Sequence, residues 1–408
     1  MKILFISLGC DKNLVDSEVM LGLLTKNGYT LTDDETQADV IVINTCCFIH
    51  DAKEESINTI LEMAQYKEQN LKALVVTGCL AERYKDEILK EIPEIDAVLG
   101  TTSYDSIVEA VNMALAENAG EHFEHYESID YLPDNSEVER VVTTGNHMAY
   151  LKIAEGCDKR CSYCIIPKIR GHFRSVPMEE LLNEAKRLAS EGVKELVLVA
   201  QETTLYGKDL TGEKQLPLLL HELCKIEGIE WIRLLYCYPE EITDELIEAI
   251  KTEEKVCNYI DMPIQHSENR ILQRMGRRTS REDLVAVIKK LRKEIPDITI
   301  RTTLITGFPG ESQEDHEGLM NFVEECQFDR LGVFTYSPEE DTLAATFEDQ
   351  IDEEVKEERR DELMSLQQEI SYEHTQQLVG KTIKVMVEGY LFEDDIYVGR
   401  SYMDAPKV

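Results

Sequence analysis

Three cysteines stand close together near the middle of the chain, at Cys157, Cys161 and Cys164. Their C-x3-C-x2-C spacing follows a strand-like apolar run, so a tight loop can turn three thiolates towards one metal centre. Three thiolates suit a [4Fe–4S] cluster with one open iron, whereas structural zinc sites use four ligands, usually in two pairs. We therefore predict an iron–sulfur cluster here; the alternative is that the three thiols are incidental and buried.

A second set of cysteines is spread over the first eighty residues, at Cys10, Cys46 and Cys79. Each comes soon after an apolar, β-rich run, and the predicted strands are 2–7, 39–44 and 72–77. In a parallel sheet these strand ends share the carboxyl edge, where open α/β sheets place their ligands. A free cysteine at a strand end is often only a small buried residue. Three in register favour a second three-cysteine cluster.

The elements that would position these thiols follow from the pattern of strands and helices. In residues 1–120, strands alternate with helices through short loops, which predicts an α/β domain with a parallel sheet sandwiched by helices. One of these helices is predicted at 81–90. Residues 121–142 are acidic and irregular and are predicted to be a linker. Residues 143–375 contain six strand-like runs, most followed by a helix such as the one predicted at 313–326, and this predicts a partial (β/α)6 barrel. The runs are 148–154, 195–200, 231–236, 259–262, 299–304 and 332–336. Residues 376–408 carry two short strands of a small β domain.

Charge and cysteine usage restrict the function. The chain has 43 basic and 80 acidic residues, a net charge of −37. Such a field favours basic partners and counts against a nucleic-acid substrate, which needs Lys and Arg to neutralise phosphates. Eleven cysteines without a secretion signal indicate the reducing cytoplasm and metal ligation. No apolar run approaches the length needed to span a membrane.

The C-x3-C-x2-C motif, with Tyr163 before its last cysteine, resembles that of the radical S-adenosylmethionine (SAM) superfamily. That resemblance implies a cluster whose open iron binds the amino and carboxylate groups of SAM. It also implies SAM contacts in the loops that follow the barrel strands. These are Gln201 and Glu202 after the second strand, Gln265 or His266 after the fourth, and Gly307 and Gly310 after the fifth. A solvated acid, a packing residue and a plain turn are the alternatives for these loops. The basic residues Lys168, Arg170 and Arg174 could position SAM or a substrate carboxylate, or form ordinary ion pairs.

A closer resemblance concerns the N-terminal motifs, which read SLGCDKNLVDSE at 7–18, NTC at 44–46 and TGC at 77–79. They are similar to the N-terminal domain of the methylthiotransferases, in the branch that acts on ribosomal protein S12. The resemblance implies two [4Fe–4S] clusters and addition of a methylthio group to the β-carbon of an aspartate in S12. One cluster would cleave SAM and the other would supply sulfur, with no catalytic residue assigned beyond the clusters. An electron donor and a sulfur source are implied as partners. Residues 376–408 resemble the start of a TRAM domain, here incomplete.

Two alternative functions stay open at this point. The same chemistry could act on a tRNA adenosine, as in the other main branch of the family, although the acidic total and the SLGCDKN form argue against it. A non-catalytic iron–sulfur protein that carries electrons or binds ribosomes would explain six cysteines. It would not explain Glu202 and the glycine loop at the strand ends.

Overall fold

The computed structural model describes residues 1–116 and 122–406, which divide into two compact units. The first comprises Met1–Thr143, Glu155–Asp158 and Ile165–Val176, and the second comprises Thr144–Ala154, Lys159–Cys164 and Pro177–Val408. Residue 121, where the predicted linker begins, lies outside the described residues, as do residues 117–120 and the last two of the predicted segment 376–408. Each unit is described separately below.

The first unit is built on a parallel sheet of six strands in the order β2-β1-β3-β4-β5-β6. The strands are β1 (Lys2–Ser7), β2 (Thr30–Leu31), β3 (Val40–Thr45), β4 (Ala73–Gly78), β5 (Ala97–Leu99) and β6 (Phe123–His125). The central strands agree with the predicted ones to within a residue. Strand β6 falls inside the predicted linker, where its half-exposed residues form no apolar run.

Both faces of this sheet are buried, as the continuous apolar runs of its central strands require. Ile41 and Ile43 pack on one face, in a core shared with Ile60 of the helix His50–Ala64. Val40 and Val42 pack on the other face with residues of two further helices. The helices are α1 (Asp11–Lys26), α2 (His50–Ala64), α3 (Cys79–Arg83), α4 (Ile88–Glu91) and α5 (Ile107–Ala114). The predicted α/β sandwich is therefore confirmed, but the single helix expected at 81–90 is two short helices.

The second unit has six parallel strands whose spatial order follows the chain. They are β7 (Met148–Lys152), β10 (Glu195–Val199), β11 (Trp231–Leu234), β12 (Tyr259–Asp261), β13 (Thr299–Thr306) and β14 (Arg330–Thr335). They pair as β11-β10-β7 and β12-β13-β14. Backbone hydrogen bonds join the two sets, from Cys257 N to Ile232 O at 2.9 Å and from Cys237 N to Asp261 O at 2.8 Å. This succession is that of the predicted six-stranded (β/α) barrel.

Helices separate the strands of this unit and another follows them. They are α7 (Met178–Ser190), α8 (Lys208–Thr211), α9 (Leu216–Cys224), α10 (Asp244–Thr252), α11 (Asn269–Arg274), α12 (Arg281–Glu294), α13 (Gln313–Cys326) and α14 (Glu353–Gln376). The hairpin of β15 (Val385–Leu391) and β16 (Ile396–Ser401) is antiparallel. Its Arg400 forms an ion pair with the fully buried Glu195 at the start of β10.

Three short elements lie where the chain passes between the units: β8 (Ala154–Glu155), α6 (Ile166–Ile169) and β9 (Arg174–Ser175). In the part of the chain that the structure describes, no helix combines the length and the apolar character that a membrane crossing requires.

Candidate functional site

Three thiols gather at the carboxyl edge of the first sheet. Cys10 is the residue before α1, Cys46 directly follows β3, and Cys79 begins α3 directly after β4. Cys46 and Cys79 are buried, and Cys10 is half-buried. We call Cys10, Cys46 and Cys79 the cysteine cradle.

Two glycines allow the backbone to approach closely at this edge. Gly9 has a φ of +92°, and a Cβ there would lie 2.7 Å from Cys46 Cβ and 3.0 Å from Cys46 Sγ. The loop carrying Cys10 is therefore packed directly against Cys46. Gly78 has a φ of +94°, and a Cβ there would lie 2.3 Å from Asn44 Oδ1. Only glycine adopts this conformation at no steric cost.

Asn13 links the three strand ends of the cradle. Its Nδ2 donates to Leu8 O at 3.0 Å and to Thr45 O at 2.8 Å, which are two residues before Cys10 and one before Cys46. Its Oδ1 lies 3.9 Å from the Cys79 Sγ. The side chain is completely buried. One amide thus fixes the spacing of three loops that are far apart in sequence.

A buried cation lies beside the cradle within the same unit. Arg170 is 2% exposed, and its Nη2 lies 3.5 Å from Cys79 Sγ. The same nitrogen donates to Asn13 Oδ1, and Nη1 donates to Asp16 Oδ2 at 2.8 Å and Glu155 Oε2 at 3.2 Å. Burial alone would lower the pKa of Arg170, but Cys79, Glu155 and Asp16 raise it well above its usual value. The guanidinium is therefore permanently charged.

Burial raises the pKa of the Cys46 thiol, and it raises the pKa of Cys79 well above its usual value. Cys10 adds to both shifts and Arg170 opposes them. Without metal these two thiols are therefore protonated at neutral pH, and metal binding would displace their protons. Within residues 1–116 and 122–406, no three His, Cys, Asp or Glu side chains are grouped as ligands of a single metal ion. Three thiols beside a guanidinium instead fit cluster ligation, which distributes thiolates over several irons.

The loop of Cys157, Cys161 and Cys164 begins after β8. In the first unit, Cys157 N donates to Gly171 O at 3.1 Å. In the second unit, Cys164 N donates to Cys161 O at 3.1 Å, and Ser162 N donates to Met275 O at 2.9 Å. Cys157 and Cys161 are buried and Cys164 is half-buried. The loop is held by these backbone hydrogen bonds.

Glu202 lies completely buried after β10, as the sequence placed it. Burial raises its pKa to about 7, against the opposing effects of Lys159 and Thr204. Its Oε1 accepts from Thr204 N at 3.1 Å, whereas Oε2 accepts no hydrogen bond in the described chain and lies 3.5 Å from Lys159 Nζ. Lys159 also pairs with Glu240 at 3.2 Å and Glu241 at 2.5 Å. Oε2 of Glu202 therefore faces the Lys159 ammonium group but accepts no hydrogen bond in the described chain.

The other predicted SAM contacts differ in whether their polar atoms are already hydrogen-bonded. Gln201 directly precedes Glu202 and is half-buried. Gln265 has a φ of +73°, and its buried Oε1 accepts no hydrogen bond in the described chain. His266 accepts at Nδ1 from Glu268 N at 3.0 Å, and its Nε2 lies 3.5 Å from Glu311 Oε2. His266 is thereby held by its own loop, whereas the strained Gln265 presents an open acceptor.

The predicted glycine loop after β13 packs against its own chain. Gly307 has a φ of +65°, and a Cβ there would lie 2.1 Å from Lys356 Cγ. Gly310 has a φ of +81°, and a Cβ there would lie 2.4 Å from Asp349 Oδ2. The space that these glycines leave is filled by Lys356 and Asp349, so both glycines are required by the turn itself.

Arg277 is a candidate that sequence reasoning missed. It is 7% exposed, and its Nη2 donates to Pro263 O at 2.9 Å. Its Nε and Nη1 reach no acceptor among the described residues, and it interacts electrostatically with Cys161 and Tyr163. The guanidinium lies over the Tyr238 ring at 4.5 Å. A buried guanidinium with open donors suits a carboxylate ligand. The sequence around Gly276 and Arg277 matches no motif, so the position of Arg277 is evident only once the chain is packed.

Two models of known families match separate parts of the chain. The sequence model described as "Uncharacterized protein family UPF0004" matches residues 2–100, and that of the radical SAM superfamily matches residues 151–323. The first match contains the cysteine cradle, and the second contains the C-x3-C-x2-C motif and the barrel strands β10 to β13.

Full-length relatives are more specific. The chain is 64% identical over 409 residues to the ribosomal protein uS12 methylthiotransferase RimO of Lachnoclostridium phytofermentans, covering 100% of this chain and 92% of that protein. Proteins of the same name from Clostridium perfringens and Acetivibrio thermocellus are 53% and 52% identical, each covering 100% of this chain and 90% of the relative.

Solved structures support the fold. The radical SAM methyltransferase TsrM from Kitasatospora setae, with tryptophan and a SAM analogue bound, has a TM-score of 0.59 at 14% identity. That match covers 81% of this chain and 72% of TsrM. The cobalamin-dependent radical SAM enzyme OxsB has a TM-score of 0.55 at 14% identity, over 91% of this chain and 56% of OxsB. The fold of this chain is that of radical SAM enzymes.

Proposed function

This chain belongs to the family of ribosomal protein uS12 methylthiotransferases, which are radical SAM enzymes, and we propose that it adds a methylthio group to the β-carbon of an aspartate in that ribosomal protein. The observation that carries the proposal is the cysteine cradle, whose three thiols meet at one sheet edge although they are more than thirty residues apart. A protein that only cleaved SAM would not need this second set of three thiols.

Six cysteines would hold the two [4Fe–4S] clusters. Cys157, Cys161 and Cys164 would hold the first and the cradle would hold the second, each through three thiolates. When bound, such clusters supply one-electron chemistry with SAM at one centre and a site for sulfur at the other. The protein's own contribution at the cradle is to exclude water and to fix the thiols through Asn13 and Arg170.

The strand-end loops of the barrel would bind SAM. Glu202 Oε2 is buried without a hydrogen bond in the described chain, so it would accept one from the SAM ammonium group. Gln201 would accept or donate a hydrogen bond beside it, and the open Oε1 of Gln265 would accept one. Gly307 and Gly310 would shape the turn that backs this site. Arg277 would receive a carboxylate on its open N–H groups.

The net charge of −37 supports a basic protein substrate over RNA, since like charges repel a phosphate backbone. Further partners would be an electron donor and a source of sulfur. We place the reaction in the reducing cytoplasm, because the cysteines of the described chain form no disulfide and cluster ligation needs them reduced.

The test is a mass measurement. Anaerobically reconstituted protein is incubated with SAM, dithionite and purified uS12, and the substrate is analysed by mass spectrometry. One methylthio group in place of one hydrogen on an aspartate is the expected product. A substrate of unchanged mass, with SAM consumed, would overturn the proposal. Adding tRNA as competitor should leave the yield unchanged.

A further inference from the structure

Arg170 makes an unusual set of contacts for a buried arginine. Its Nη1 pairs with two carboxylates, Asp16 and Glu155, at 2.8 and 3.2 Å. Its Nη2 turns to the cradle, where it donates to Asn13 Oδ1 and lies 3.5 Å from the Cys79 sulfur. All of these residues belong to the first unit.

Ion pairing alone does not explain this geometry. Two carboxylates already balance the guanidinium charge, and both lie on Nη1. The other terminal nitrogen is aimed at a thiol, which is a weak acceptor while protonated and a strong one as a thiolate. Burial strengthens the interaction between Arg170 and Cys79, because charges interact more strongly away from water. The cation is therefore placed to act on a negatively charged Cys79 sulfur.

We propose that Arg170 is a positioning residue of the cluster held by the cysteine cradle, and that its charge beside Cys79 raises the reduction potential of that cluster. The inference rests on the proposed function, since it requires a cluster on Cys10, Cys46 and Cys79. Reduction adds one negative charge to a cluster, and a nearby cation or hydrogen-bond donor to sulfur stabilises the reduced state. Asp16 acts in the opposite sense, because its negative charge on Nη1 partly offsets the guanidinium.

The experiment uses the full chain with Cys157, Cys161 and Cys164 changed to Ala, so that only the cradle cluster remains. Iron and labile sulfide are measured after anaerobic reconstitution. The cluster is then titrated with dithionite and followed by EPR. Four changes are compared in this background: Arg170→Gln, Arg170→Lys, Asp16→Asn and Arg140→Gln. Arg140 is the matched control, a buried arginine of the same unit that lies 3.5 Å from Glu18, farther along α1.

At a fixed potential, Arg170→Gln should lower the ratio of reduced to oxidised cluster about tenfold, which is a shift of about 59 mV for one electron. In Arg170→Lys the ratio of reduced to oxidised cluster should stay closer to that of the chain with Arg170, because lysine keeps the positive charge. Asp16→Asn should shift the ratio in the opposite direction, and Arg140→Gln should leave it unchanged.

The outcomes separate the two proposals. If the background chain binds no iron at the cradle, the proposed second cluster fails. If it binds a cluster and neither Arg170→Gln nor Asp16→Asn moves the potential, the role of Arg170 is overturned while the proposed function stands. If Arg170→Gln does not fold, the Asp16→Asn shift alone decides, and a rise in potential supports the inference. A structural role would lower stability in the Arg170 and Arg140 variants alike without moving the potential.

Discussion

The two cysteine sets of this chain are built in opposite ways. Cys157, Cys161 and Cys164 lie within eight residues of one another in the sequence. The cysteine cradle gathers its thiols by folding, because three parallel strands must pair in register before Cys10, Cys46 and Cys79 can meet.

Their surroundings differ as well. At the cradle, Asn13 bonds to the loops around it, and Arg170 bonds to Asp16, Glu155 and Asn13. Near the barrel's strand ends, buried polar atoms of Glu202, Gln265 and Arg277 accept or donate no hydrogen bond in the described chain. Open polar atoms cost free energy unless a ligand satisfies them. The first arrangement suits a permanently held group, and the second suits a cofactor or substrate that comes and goes.

The largest effect is expected from Cys161→Ala. Loss of one of three thiolates should abolish SAM cleavage, so that 5′-deoxyadenosine formation falls to the background rate. Cys237→Ala is the matched control, since Cys237 is completely buried in the same unit and has no metal spacing. Liquid chromatography of the nucleoside product measures both. Undiminished cleavage by Cys161→Ala would contradict the assigned ligand.

Cys79→Ala should separate the two sets functionally. We expect SAM cleavage to continue while methylthio transfer to uS12 is lost, and iron to fall from about eight to about four per chain. Cys47→Ala, beside the cradle but not part of it, should keep both activities. If Cys79→Ala lost cleavage and transfer together, the two sets would not be independent.

Asn13→Ala tests whether the cradle is held by the fold before any metal arrives. It leaves Leu8 O and Thr45 O without their side-chain donor, so the metal-free protein should lose about 2–3 kcal/mol of unfolding free energy. Urea unfolding of the apoprotein measures the loss. Asn27→Ala removes an exposed bond to Leu23 O and should cost under about 1 kcal/mol. Equal losses would mean that Asn13 does not organise the cradle.

The smallest effect is a pH dependence at Glu202, whose pKa is raised to about 7 by burial. Its ionised fraction rises from about a tenth at pH 6 to about nine tenths at pH 8, so SAM affinity should rise about tenfold across that range. Glu202→Gln should bind SAM weakly and without this slope, as calorimetric titration would show. If the SAM affinity of the wild-type protein does not change with pH, Glu202 is not a SAM contact.

The same shift has a consequence for stability. In the unfolded chain the pKa of Glu202 is near its ordinary value of 4.5, below its pKa in the folded protein. The SAM-free protein should therefore lose stability, relative to Glu202→Gln, as pH rises from about 4.5 to about 7.

The sequence predicts elements well where apolar periodicity is strong. The helix expected at 313–326 is α13, and the strand expected at 2–7 is β1. Periodicity fails for short or half-exposed elements. Strand β6 is one case, and the helix expected at 81–90 is another, because no glycine or proline marks its interruption at 84–87.

The sequence likewise indicates some residues of the candidate site and not others. Spacing indicates the two cysteine sets, and the position after a strand indicates Glu202. The roles of Arg170 and Arg277 depend on contacts that spacing does not reveal, since Arg170 is 157 residues from Asn13. A basic residue near a cysteine motif has no defined partner until the chain packs. The conformation of Gly307 and Gly310 likewise depends on packing, since Lys356 and Asp349 occupy the space beside them, and their contact with SAM stays a prediction.

Two complementary triple variants test the central claim most directly. One replaces Cys157, Cys161 and Cys164 by Ala, and the other replaces Cys10, Cys46 and Cys79 by Ala. After anaerobic reconstitution, iron, labile sulfide and Mössbauer spectra are measured for each. We predict about four irons per chain in both variants, with [4Fe–4S] spectra. Loss of all iron from either variant, or full iron retention in the variant without the cradle, would contradict two independent clusters.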